Sequence, residues 1–312
     1  MITPEQAVDA INGRFGRHPG YRALHAKGIL CKGTFSATPE AASLTRAAHM
    51  QGGSVAVTVR LSNGSGDPGS PDHAPDVRGM ATKFYLPDGS RTDIVAQTAP
   101  RFPARTPEGF IEFVRAMERG PAQLWKLPLF LARHPEAVAG LRANAVALKR
   151  PASYATCRYY AIHAFRWTDS GGGARNVRYR WLPEAGDHSV SAKEAKSRGR
   201  NYLQEDVRSR LGRGPVRFVL ELQLALRDDP VNDPTAPWRD DREIVVGGTL
   251  ELTELEMARE TGDDVLVFDP TRVTDGIELS DDPILRFRSP AYSVSIERRS
   301  GVPRPPDLDA LP

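Results

Sequence analysis

Residues 54–97 read SVAVTVRLSNGSGDPGSPDHAPDVRGMATKFYLPDGSRTDIVAQ. At the start of this stretch Val55, Val57, Val59 and Leu61 alternate with Thr58, Arg60 and Ser62. That is the period of a strand with one apolar face and one polar face. Residues 78–97 predict a hairpin, with Pro87-Asp88-Gly89-Ser90 as the turn: proline presets φ, and glycine and aspartate suit tight turns. Between the two, Gly64 to Gly69 matches G-x-G-x-x-G in form. A dinucleotide site needs a helix to open inside those glycines, whereas here more Pro, Gly and Asp follow, so the stretch predicts a loop.

Outward from this core, further strands are expected at 159–167, 175–182, 215–226, 243–252 and 264–268, interrupted by helices at 191–198 and 202–211. Thr-Pro-Glu occurs at 3–5, 38–40 and 106–108. Each supplies an N-cap hydroxyl, a proline that loses nothing at the first helical position, and an acid at the positive helix end. Helices are therefore expected at 4–15, 39–50 and 107–118. The α-rich stretch 121–149 is expected to split into three short helices at Pro128 and Pro135. Strands scattered among helices without a βαβ rhythm predict an α+β fold with an antiparallel sheet or barrel. No repeat or low-complexity linker divides the chain, so residues 1–312 are read as a single domain with an irregular, proline-rich tail.

The 312 residues carry 42 Lys+Arg against 39 Asp+Glu, a formal charge of +3. That balance excludes a nucleic-acid binder driven by phosphate neutralisation. No apolar run is long enough to span a membrane, and residues 1–17 lack the apolar core of a signal peptide. Two cysteines, Cys31 and Cys157, make neither a disulfide framework nor a four-ligand zinc site. These features together predict a cytoplasmic protein. The basic run KEAKSRGR at 193–200 is read as a solvated helix face.

His25 stands in GYRALHAKGILCKGTF, three positions after Arg22. By itself such a histidine is more often structural. However, HAKG is followed in order by VRLSNGSGDPGSPDHAPDVRGMATKFYLPDGSRTDIV, by TPEGFIEF, and late in the chain by Arg288-x-x-x-Tyr292. This succession resembles the haem-containing catalases over roughly two thirds of the chain. The resemblance implies an antiparallel β-barrel with flanking helices and a C-terminal proximal helix, and a b-type haem. It implies further that His25 is the histidine above the open haem face and that Ser62 orients its ring. Gln97 would hold peroxide, Phe110 would pack on the haem, and Arg22, Arg60 and Arg299 would pair with its propionates. Tyr292 would be the axial iron ligand, a ligand choice that catalases share, with Arg288 beside it. If 283–299 is helical, Arg288 and Tyr292 face each other at i and i+4; Pro290 either kinks that helix or starts a new one capped by Ser289.

Departures from the family pattern bear on activity. Gln97 stands where catalases have asparagine, moving the amide by one methylene, and Leu24 replaces the usual valine. Tyr21, Pro290 and Val294 also differ from the common residues. The resemblance also leads to the expectation that the chain lacks the C-terminal helices and the flavodoxin-like part of large catalases. The expectation is therefore a haem-dependent peroxidase that reduces hydrogen peroxide or organic hydroperoxides through a ferryl state, using a small organic reductant. The alternatives are a true catalase, a fatty-acid hydroperoxide isomerase, and a non-catalytic haem carrier or sensor. A monomer or homodimer is expected, because segments through which catalases form tetramers are trimmed.

Overall fold

The computed structural model describes residues 1–118, 123–256 and 266–300. Helix α1 (Pro4–Phe15) is followed by strand β1 (Gly28–Ala37), α2 (Pro39–Leu44) and a short 3₁₀ turn at Ala48–Met50. Strands β2 (Ser54–Asn63), β3 (Arg78–Tyr85) and β4 (Arg91–Gln97) come next. The helices α3 (Pro107–Ala116), α4 (Gln123–Arg133) and α5 (Pro135–Asn144) lead to β5 (Arg150–Pro151), β6 (Tyr159–Thr168), β7 (Ala174–Pro183) and β8 (Ser189–Val190). After α6 (Ala192–Ser197) and α7 (Tyr202–Leu211) come β9 (Val216–Leu224), β10 (Ile244–Leu255), β11 (Ile277–Leu279) and α8 (Pro283–Arg299).

Strands β6, β4, β3, β2, β1, β10, β9 and β7 are neighbours in that order. β7 pairs back with β6, so the antiparallel sheet closes as a barrel of eight strands. The alternation in β2 decides which side is which. Val57, Val59 and Leu61 turn inward and join Phe35, Met80, Phe84, Trp181, Phe218 and Leu250 in the barrel core. Thr58, Arg60 and Ser62 turn to the other face. Because paired residues share a face, the register lines up two outward rows: Leu30, Arg60, Ala81 and Val95, then Gly28, Ser62, Gly79 and Gln97. The second row ends at the barrel seam, where Gln97 pairs with Tyr160.

A third outward row carries a buried ion pair, Lys83 Nζ to Asp93 Oδ1 at 2.5 Å. Asp93 Oδ2 also accepts from the Asp269 N–H and from Arg272 Nη1, each at 2.9 Å. These contacts pin the segment after residue 265 against the barrel, and Leu266 and Phe268 there cover Leu30.

All three Thr-Pro-Glu signals form caps: Thr3, Thr38 and Thr106 accept from the N–H of Gln6, Ala41 and Gly109. Several expectations change. α2 stops at Leu44 and only a 3₁₀ turn lies at 48–50. Pro128 lies inside a continuous α4 and the break falls at Pro135. One helix runs through Pro290, so Ser289 starts no new helix. Residues 266–268 are not a strand, and 264–265 lie outside the described residues. β1, which pairs with both β2 and β10, adds to the predicted strands.

Candidate active site

His25 lies on the loop entering β1 with φ +56°, the one non-glycine with positive φ among the described residues. That conformation costs free energy and persists only where surrounding contacts impose it. Here the glycine-rich loop does so: the N–H groups of His25 and Ala26 donate to the carbonyls of Gly64 and Ser65 at 3.1 and 3.0 Å. The G-x-G-x-x-G stretch thus holds a histidine in place.

The imidazole Nδ1 lies 3.0 Å from Ser62 Oγ. The ring rests on Gly79, where a Cβ would come within 2.7 Å of Nδ1 and Cε1 and 2.8 Å of Ser62 Oγ. Register puts Gly79 opposite both Ser62 and Gln97, so the serine, the glycine and the carboxamide form one row under the ring. Gln97 Nε2 donates to the Ala99 carbonyl at 3.3 Å.

Burial, then the charges of Arg60, Arg288 and Arg22, push His25 down to about 3, so its imidazole is neutral at physiological pH. Arg60 is buried on β2; it donates to the Ala26 carbonyl at 3.2 Å and lies against Gly28, where a Cβ would meet its guanidinium at 2.7 Å. Arg22 and Arg299 converge from opposite ends of the chain on one acceptor, the Leu266 carbonyl, at 2.6 and 3.3 Å.

Arg288 and Tyr292 meet as the i, i+4 spacing requires. Arg288 Nε and Nη2 donate to the phenol oxygen at 2.9 and 2.5 Å. The third guanidinium nitrogen, Nη1, is 3.1 Å from His163 Nε2, and His163 Nδ1 is 2.7 Å from Asp282 Oδ2. His163 and Asp282 are fully buried. Asp282 also caps α8, its Oδ1 accepting from the Ile284 and Leu285 N–H groups. One carboxylate therefore starts the helix that carries the tyrosine and anchors the chain of contacts ending on it. Neither His163 nor Asp282 is legible as a site residue; the Asp-Pro helix start at 282–283 was the one available signal.

Phe110 lies on α3, and its ring partner is Phe102 at 4.8 Å between centroids. Of the other sequence-derived candidates, Ser62 and Gln97 gather with His25, Arg288 with Tyr292, and Arg22 with Arg299; the charge of Arg288 reaches His25. This arrangement fits haem. A guanidinium donating twice to a phenol oxygen supplies the counter-charge of an iron-bound tyrosinate. The guanidiniums of Arg22, Arg60 and Arg299 suit a dianionic ligand edge, and Gly28 and Gly79 make room on the barrel wall for the Arg60 guanidinium and the His25 ring.

The sequence model of the catalase family, described as "Catalase", matches residues 17–304. A catalase-related peroxidase of Mycolicibacterium paratuberculosis is 48% identical over 97% of this chain and 96% of its own length. A catalase-related peroxidase of Synechococcus elongatus is 32% identical over 96% of this chain and 89% of its own. Among solved structures, catalase A from Saccharomyces cerevisiae superposes with a TM-score of 0.81 at 23% identity, covering 95% of this chain and 64% of that one. A fungal catalase gives 0.79 at 24% identity, covering 97% and 63%.

Proposed function

The chain belongs to the catalase family, and from that membership we propose that it is a haem-dependent peroxidase, reducing hydrogen peroxide or an organic hydroperoxide with electrons from a small organic donor. The observation that carries the reading is the pairing of two groups in one chain: a neutral imidazole fixed by Ser62, and a phenol oxygen held by Arg288, whose charge reaches that imidazole. We assign the cofactor as haem b, with Tyr292 as the iron ligand and Arg22, Arg60 and Arg299 as propionate partners.

Bound haem would supply the redox centre that takes up both oxidising equivalents of the peroxide. The residues of the chain handle the proton. With Nδ1–H donating to Ser62 Oγ, His25 Nε2 keeps its lone pair and accepts a proton from the incoming peroxide. The same atom returns it to the departing oxygen, which leaves as water from hydrogen peroxide or as an alcohol from an organic hydroperoxide. Gln97, in the row below the ring, orients the peroxide through its carboxamide. Arg288 holds the phenol oxygen of Tyr292 in its ligating position, and His163 and Asp282 hold Arg288. Cys31 and Cys157 are free and buried, both thiols pushed up to about 12 by burial, which suits the cytoplasmic setting read from the sequence. Among the described residues no helix is long and apolar enough to cross a membrane.

The test is to supply the haem-loaded protein with hydrogen peroxide, with and without a phenolic donor, while following donor oxidation and oxygen release together. Saturable donor oxidation with little oxygen is expected. Vigorous oxygen release without donor would instead assign a true catalase.

A further inference from the structure

Helix α4 is apolar on both sides. Its inner side, with Leu127, Phe130 and Leu131, packs against Phe113 of α3 and Ala137 of α5. Its outer stripe, Trp125, Pro128, Leu129 and Ala132, is equally apolar and faces solvent. The stripe continues through Val138, Ala139 and Leu141 of α5 and through Val146 and Leu148 beyond it. A helix with an apolar stripe on its outer as well as its inner side normally has that outer stripe covered.

Within the α4–α5 segment itself the exposed charges have one sign. Between residues 125 and 149 the exposed charged residues are Arg133, Arg142 and Lys149. The acid in that stretch, Glu136, is engaged with the ring of His134 at 3.2 Å, and the acids that border it are paired as well, Glu112 with His134 at 3.1 Å and Glu118 with Lys126 at 3.2 Å. Exposed apolar and aromatic side chains bordered by cations, with no exposed acid among them, match the chemistry of an interface between headgroups and acyl chains. A second copy of the chain is a poorer match, because a self-complementary contact would bury these three cations against a segment that has no exposed acid of its own to pair with them.

We propose that the α4–α5 hairpin is a peripheral docking surface for membranes rich in anionic phospholipid. Trp125, Leu129 and Leu141 enter the boundary between headgroups and acyl chains, while Arg133, Arg142 and Lys149 meet lipid phosphates. The hairpin packs on α3, the helix that carries Phe110, so the docked enzyme holds the barrel outside the bilayer.

The chain supplies its own reporter. Of its four tryptophans, Trp125 is 58% exposed, while Trp167 and Trp181 are 0% and Trp238 5% exposed. The haem-loaded protein is mixed with vesicles of phosphatidylcholine, with or without phosphatidylglycerol, and bound protein is measured by co-sedimentation and tryptophan emission. Binding to phosphatidylglycerol vesicles, weakened by salt, with a blue shift that disappears in Trp125→Phe, is expected. Reversing Arg133, Arg142 and Lys149 to Glu should weaken binding by roughly a hundredfold or more, and Leu129→Glu should weaken it independently. All five positions are solvent-facing, so the Soret band and basal peroxidase activity serve as folding controls and should not change. Three results would overturn the proposal: no sedimentation with phosphatidylglycerol, equal binding to pure phosphatidylcholine, or a Trp125 shift that follows protein concentration rather than lipid. The last would assign the face to self-association.

Discussion

The imidazole of His25 lies directly on the backbone of Gly79, with room for a hydrogen and not for a methyl group: a Cβ there would fall 2.7 Å from Nδ1. Two elements far apart in sequence, the entry loop of β1 and the strand β3, thereby fix the orientation of one imidazole. Under the proposed function this contact makes Gly79 a positioning residue.

Gly79→Ala should push the ring of His25 off Ser62. A misplacement of about 1 Å can cost on the order of a hundredfold in rate. Peroxide turnover of the haem-loaded variant should fall by that order while the Soret band persists. A variant with full turnover would show that the ring tolerates displacement.

Asp282 predicts a stability effect. Its side chain caps α8 and is hydrogen-bonded to buried His163. Asp282→Ala removes a cap worth about 1 kcal/mol and leaves a buried imidazole nitrogen unsatisfied, about 1–3 kcal/mol more. Urea unfolding should show a loss of about 2–4 kcal/mol. Asp282→Asn, which retains a capping oxygen, should lose less. Equal losses in the two variants would refute the capping part of the account.

The pH profile follows from His25. Burial and three guanidiniums lower it from 6.5 to about 3, so the proton-accepting form is already present throughout the neutral and mildly acidic range. The acid limb of kcat/KM should lie well below 6.5, and an inflection near 6.5 would contradict the assignment. His49 in the barrel core is also pushed down to about 3 by burial. Both histidines have native values below their unfolded ones. As pH falls from 6.5 toward 3, the unfolded chain therefore takes up protons that the native one refuses. Stability is full above 6.5 and declines across that window. Unfolding in urea at several pH values measures the decline, which should be shallower in His49→Leu.

The barrel was partly legible. Alternation in 55–61 assigned the faces of β2 correctly, and the Thr-Pro-Glu triplets marked three helix starts. β1 (GILCKGTFSA) was not, because it is buried between two neighbours and interrupted by glycine and lysine, so no clean alternation survives. Pro128 and Pro290 suggested breaks that packing overrode. The site residues His25, Ser62, Gln97, Arg288 and Tyr292 were reached through resemblance and ordered spacing. Strand register then brought Ser62, Gly79 and Gln97 into one row, which no single segment encodes. His163 and Asp282 meet across 119 positions, and nothing local marks His163 on a strand of mixed residues.

The central claim is that His25 moves the proton while Tyr292 holds the haem. It is tested most directly by the peroxide-dependent rate of donor oxidation in haem-loaded wild type and His25→Ala, compared at equal Soret absorbance. The account predicts full haem binding in the variant and a rate lower by about 10²–10⁴-fold, the range of general acid–base catalysis. A variant that keeps both its Soret band and the wild-type rate would contradict it.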